Sequence, residues 1–387
     1  MLKKISVLGL LFLLLCSGSA YAIGRGPGAR AAAMGGAYSA IAYGIEAYGF
    51  NPAGMATDKT FGAVLGVGGN STLTWQEAQD LYTQLSTGTG RTQYLVSNIF
   101  QEIKINGQGD MPLVGISFGN LGIASWGYAY GYADKAMVDY QFLLYGGYIL
   151  EYGVIYGDSF GKFSAPLKDL YWGITVRGIT GGERGLYYSA LDWDYNGDGS
   201  IVNFGREYST SWTNGVGGDL GLKYEGDNYV IAFALKDIAS TVTQTTELNL
   251  REIDWDDGTL GGIIGSYESS ATATLDSRWL LGLAYYLEPV DLLITTDVES
   301  YKTASISPSD ADFGKAVDVT DVHVGLEKRL LDWFALRAGY SLENYAKIPS
   351  TWITYGFGLN FGFMNIDLAA GNSERSSQVY LQAQTVL

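Results

Sequence analysis

Residues 28–56 read GARAAAMGGAYSAIAYGIEAYGFNPAGMA, small and apolar throughout, yet interrupted by Gly28, Gly35, Gly36, Gly44, Gly49, Gly54 and Pro52. Each interruption costs helix stability, so the stretch predicts a compact folded plug and not a spanning helix. Its close, Asn51-Pro52-Ala53-Gly54, reads as a tight turn, because proline presets φ and asparagine can bond its own backbone. Beyond it the chain changes character. From residue 111 onward apolar and polar side chains alternate with a period of two, the mark of strands with two unlike faces.

Through its G-A-R, M-G-G-A and N-P-A-G elements (Met34, Gly35, Gly36, Asn51, Pro52, Ala53, Gly54), this stretch resembles the N-terminal segment of the FadL-type outer-membrane transporter superfamily. That group holds long-chain fatty-acid and hydrocarbon transporters and PorV-like relatives. The resemblance implies that residues 23–58 form a hatch in the lumen of a fourteen-stranded barrel. It implies hatch-gated uptake of hydrophobic small molecules, with lateral exit at a kink in the third strand. Gly122, Gly127 and Gly131, inside 121–134, would permit such a kink. Where relatives often carry an acidic pair this chain has Tyr43-Gly44, so no role transfers to those positions. The PorV-like relatives imply a rival function, the binding or shuttling of secreted proteins. A purely structural surface barrel is the third reading.

The composition agrees with a barrel. Residues 1–22 have the pattern of a secretory signal peptide: Lys3 and Lys4, an apolar run over 5–15, then Ala20-Tyr21-Ala22. The single cysteine, Cys16, falls within it, so the mature chain is expected to lack thiol chemistry. No later run of eighteen apolar residues exists, which excludes helical spans. The 53 glycines, 14% aromatic residues and 17% charged residues fit a curved sheet with aromatic girdles. Without Lys3 and Lys4, 22 basic residues stand against 40 acidic ones, a charge of −18, so nucleic acid is a poor partner.

Strands are expected at 59–69, 111–119, 121–134, 137–150, 169–181, 213–225, 228–238, 272–288, 290–301, 317–329, 333–345, 350–362, 364–371 and 376–386. That even count suits an all-β, transmembrane antiparallel β-barrel over 59–387, with the hatch in its lumen and the bacterial outer membrane as its home. Along the later strands Trp279, Leu281, Leu283 and Tyr285, then Leu336, Ala338 and Tyr340, then Ile353, Tyr355 and Phe357 share the lipid side. Short periplasmic turns alternate with long outer connections: a partly helical insert at 70–110 and loops at 182–212, 239–271 and 302–316. The segment 151–168 breaks the rule as a long periplasmic turn. The partners this implies are a hydrophobic small molecule, the lipid bilayer with its lipopolysaccharide, and the barrel-assembly machinery. That machinery often recognises a terminal aromatic residue, which Thr385-Val386-Leu387 does not supply.

One motif has the spacing of a metal loop. Asp194, Asn196, Asp198 and Ser200 stand at positions 1, 3, 5 and 7 of an EF-hand-like calcium loop, with Gly199 at 6. Position 12 is Gly205, so Asp192 or Glu207 would have to complete the shell; an Asx-rich turn without an ion reads equally from the residues. No cofactor is required by this reading, Ca2+ in the outer loop being the one candidate. The only histidine, His323, shares a lumenal face with Asp321 and Glu327, but no serine elbow accompanies it and an enzyme is not expected. Lumenal Asp219, Lys223, Asp276, Arg278, Asp297, Glu299, Glu327, Arg329 and Arg337 are expected to pair with one another and anchor the hatch.

Overall fold

Alternation of the kind seen at Trp279-Leu280-Leu281-Gly282-Leu283 demands a sheet with one greasy face, and a sheet with no edges must close on itself. In a computed structural model that describes residues 28–57, 61–71, 103–136, 141–162, 164, 167–189, 193–195, 201–254, 259–274, 277–304, 316–343, 350–374 and 376–386, it does so. The strands are β1 (Phe61–Ser71), β2 (Ile103–Phe118), β3 (Leu121–Ala136), β4 (Gln141–Ser159), β5 (Leu170–Ser189), β6 (Trp193–Tyr195), β7 (Ile201–Glu225) and β8 (Tyr229–Asp254). They continue as β9 (Thr259–Thr274), β10 (Arg278–Leu287), β11 (Leu292–Ala304), β12 (Ala316–Leu331), β13 (Phe334–Glu343), β14 (Ser350–Asn360), β15 (Met364–Ser373) and β16 (Ser377–Val386).

Fourteen of these form one antiparallel ring, closed where β1 meets β16 (Gly62 opposite Val386) and where β7 meets β8; β6 and β9 lie outside the ring on β7 and β8. The apolar set faces out: Leu65, Val176, Leu220, Leu281, Ile353 and Leu381 are all exposed on the outer surface. The alternate residues, among them Arg177, Asp219, Asp297, His323, Glu327, Arg337 and Gln382, are buried within. No helix among the described residues is long and apolar enough to cross a membrane; the strands provide the outward apolar band.

Several expected boundaries shift. Alternation reports a half-buried strand, and a strand segment without it reads as loop. The expected loop 182–212 is occupied by β5 up to Ser189 and by β7 from Ile201, and the loop 239–271 by β8 up to Asp254 and β9 from Thr259. Thr-Val-Thr-Gln-Thr-Thr (241–246) pairs with β7 and β9 without an apolar face. The loop 302–316 shrinks likewise, with Ala304 opposite Ala316. The strand expected at 272–288 is two strands, β9 ending at Thr274 and β10 starting at Arg278. The expected long turn at 151–168 is strand up to Ser159, because Gly153, Ile155 and Gly157 alternate inward with outward Tyr152 and Val154. In the insert 70–110, β2 starts at Ile103, so that residue is strand; 72–102 lies outside the described residues.

The N-terminal segment, residues 28–57, lies inside the ring. It holds one short helix, α1 (Ala29–Ala33), and two 3-10 turns, Gly44–Gly49 and Pro52–Thr57. Ala33, Met34, Ala37, Ala42, Ala47, Ala53 and Met55 are fully buried. Tyr38, Ile45, Tyr48 and Phe50 pack with inward Val64, Leu113, Trp126 and Ile155 in one apolar cluster.

A candidate lumen site between the N-terminal segment and the barrel wall

The wall receives the segment on two tracks of missing side chains. In the first, Gly157, Gly173, Gly221 and Ala234 stand opposite one another across β4, β5, β7 and β8. A Cβ at Gly173 would collide with the Pro52 carbonyl, and one at Gly221 with the Asn51 side chain. The second track runs Thr295, Gly325, Gly339, Thr354, Gly371 across β11 to β15. It accepts the Met34-Gly35-Gly36 bend, where Gly35 and Gly36 adopt φ of 65° and 89°, and where a Cβ at Gly35 would come within 2.7 Å of the Tyr340 nitrogen.

Polar groups fix the segment on these tracks. The Asn51 amide donates to the Leu222 carbonyl (3.0 Å), while its oxygen accepts from the Ala53 N–H (3.0 Å). Thr295 and Thr354 hydroxyls donate to the carbonyls of Ala37 (2.9 Å) and Ala33 (3.0 Å). Asp297 accepts from the backbone N–H of both Tyr38 (2.9 Å) and Ser39 (2.8 Å). His323 Nδ1 lies 2.8 Å from the Gly35 carbonyl, which makes Nδ1 the donor. Glu46 is buried in the segment and accepts from Tyr38 Oη (2.8 Å) and from Gln382 Nε2. Burial pushes the Glu46 carboxyl above its ordinary range, although Gln382, Arg30 and Tyr38 act against that shift. Burial also pushes the Tyr43 hydroxyl up to about 12.

Charges close the site above and below. Toward the turn end, the Arg30 guanidinium grips Glu327 through two bonds (2.8 and 2.9 Å), and Arg337 bridges Glu327 and Asp367 (2.6 Å each). A cavity of about 270 Å³ lies beneath them, reached by Tyr43, Trp333 and Asn365. Toward the loop end, a belt sits one layer beyond the segment: Asp219 is two residues outward of Gly221, Glu299 of Asp297, and Asp321 of His323. In the same belt Arg177 pairs with Asp219, Asp237 and, at 3.5 Å, Glu151; Arg278 pairs with Asp237 (2.8 Å) and Glu299 (3.4 Å). Asp237 faces inward beside Lys236 because a bulge with φ of 59° adds a residue to β8.

The expected site residues fall in several places. Asn51, Pro52, Ala53, Gly54, Met34, Gly35 and Gly36 all make the wall contacts or the tight packing of the segment. Gly122 admits Ile45, and Gly127 lies against the Ile149 carbonyl. β3 itself pairs with β4 from Leu121 to Ala136 without a register shift. The interruption lies on β2, where the ladder slips against both β1 and β3 around Met111, Pro112 and Leu113; proline offers no N–H there. Asp194 stands in β6 opposite Val202, while Asp192, Asn196, Asp198 and Ser200 lie outside the described residues. Glu207, five residues along β7 from Val202, is about 16 Å away at strand rise and is removed from that shell. Asp276 also lies outside the described residues. Glu46, Gln382 and the glycine tracks were not singled out from sequence; the polar period-two run Gln378, Gln382, Gln384 and the glycines at 157, 173 and 221 were the available signals.

Solved structures share this architecture along nearly the whole chain. A deletion variant of TodX, described as a monoaromatic hydrocarbon channel, matches with a TM-score of 0.62 at 15% identity, covering 94% of this chain and 99% of that one. This is the FadL-type fold. CymD, another monoaromatic hydrocarbon channel, matches at 0.57 and 11% identity over 94% of this chain and 98% of its own. The toluene transporter TodX of P. putida matches at 0.56 and 14% over 94% and 99%. No family model and no curated protein matches the sequence. The titles of these neighbours describe channels and a transporter, and a closed barrel of this fold with an apolar exterior points to the bacterial outer membrane.

Proposed function

We propose that the protein is an outer-membrane channel for the uptake of hydrophobic small molecules, such as long-chain fatty acids or monoaromatic hydrocarbons, gated by residues 28–57. The observation that carries this reading is the lumen itself, filled by a separate segment held through hydrogen bonds and ion pairs on glycine tracks. A water-filled pore gives an apolar solute no affinity, whereas a stoppered lumen with an aromatic side, Trp126 and Tyr128, does. The lateral exit is assigned to the seam between β2 and β3, where Pro112 interrupts the ladder beside Trp126. Calcium binding at the turn 194–200, completed by Asp192, is proposed as a means of ordering the outer hairpin; calcium titration with and without Asp198→Ala tests it.

The test of the channel reading is uptake of labelled toluene and labelled palmitate by cells that produce the protein, each set against cells with an empty vector. Protein-dependent entry of either solute supports the reading. Equal entry with and without the protein, for both, removes it.

A further inference from the structure

The belt at the loop end of the lumen bears on which apolar solutes can pass. We infer that it is a charge filter, which of the two solute classes proposed above selects the uncharged hydrocarbon: the channel admits uncharged solutes and refuses carboxylates with the same apolar body, ionised fatty acids included. This rests on the channel reading. Five carboxylates, Glu151, Asp219, Asp237, Glu299 and Asp321, face three cations, Arg177, Lys236 and Arg278, in the layer directly above the N-terminal segment. Each of the three cations is already engaged. Arg177 and Arg278 are held by the pairs given above, and Lys236 donates to the Gly49 carbonyl at 2.6 Å. Asp321 accepts from the Tyr301 hydroxyl at 3.1 Å.

A carboxylate entering this layer meets no free cation among the described residues. At either arginine it must displace one of the belt's own acids, leaving that acid buried without its partner; at Lys236, which bonds the Gly49 carbonyl, it still enters a layer that holds five carboxylates to three cations. The same ring or chain without the charge meets no such penalty. It finds the adjoining wall, where Trp126 stands in register with Glu151 and packs beside Tyr128 at 5.9 Å between centroids. There Trp126 Nε1 and Tyr48 Oη are buried without a hydrogen-bond partner among the described residues, two donors suited to a neutral π face or hydroxyl.

The experiment compares toluene, benzyl alcohol and benzoate at pH 7, as protein-dependent uptake by cells carrying the full chain. Benzyl alcohol separates polarity from charge. The filter predicts that toluene and benzyl alcohol enter at least ten-fold faster than benzoate. It also predicts that Glu299→Gln combined with Asp321→Asn raises the benzoate-to-toluene ratio at least three-fold. Benzoate entering within two-fold of benzyl alcohol in the unaltered protein overturns the filter and leaves the channel standing, whether or not the variant folds. Entry of none of the three overturns the filter, and the channel reading falls with it only where labelled palmitate also fails to enter.

Discussion

Glu46 shows how one side chain carries a testable energetic consequence. Its carboxyl is raised by burial, so the docked segment binds a proton more readily than the free one. Docking therefore weakens as pH rises from the ordinary carboxylate range through the raised value, and the cost is absent below that range. Glu46→Gln keeps an acceptor for Gln382 and gains a donor for Tyr38, so it is expected to tighten docking at neutral pH and flatten the pH dependence. Hydrogen-exchange protection of residues 28–57 between pH 5 and 8 reads both effects; an unchanged pH slope would count against Glu46. Asp297→Ala leaves the Tyr38 and Ser39 N–H groups without their acceptor, at about 1–3 kcal/mol each. Protection should be lost at those two amides while the ring stays closed. Neither role was legible from the sequence. Glu46 sits among small apolar residues with nothing local to mark it as buried, and Asp297 read only as one of many lumenal charges, because its partners lie more than 250 positions away.

At the scale of elements, the two glycine tracks account for how a wall of strands can receive a folded segment. Gly221→Ala or Gly173→Ala puts a methyl group into Asn51 or Pro52, an overpacking penalty of about 1–3 kcal/mol. Exchange protection is expected to fall across residues 49–56, with heat-modifiable migration of the barrel on a gel unchanged; unaltered protection would mean that the track does not hold the segment. On the other side of the ring, Pro112→Val restores a ladder donor at the β2 bulge. Uptake should fall several-fold if solute leaves there, and stay level if it leaves elsewhere. The membrane-embedded strands were legible because one face is greasy. Their extensions at 182–189, 201–212 and 239–254 were not, because their sequences, such as Gly-Glu-Arg-Gly-Leu-Tyr-Tyr-Ser at 182–189, carry no sustained period of two, and it is the backbone ladder that holds them.

For the molecule as a whole, closure of fourteen strands inverts the ordinary arrangement of a globular protein: apolar side chains outside, ions and a folded N-terminal segment inside. The even strand number and the inner and outer faces could be read from the chain, since both follow from alternation. The place of residues 28–57 could be read only through its resemblance, because no local rule tells a glycine-rich segment which wall it will meet. That placement is the centre of the account, and a cross-link tests it directly. Ser39→Cys with Gly282→Cys joins the middle of the segment to β10, where a Cβ at Gly282 would touch the Ser39 side chain. Under oxidising conditions uptake of labelled toluene should drop to the empty-vector level and return when the disulfide is reduced. Uptake that continues at full rate through the oxidised, cross-linked protein would contradict a moving stopper in the lumen.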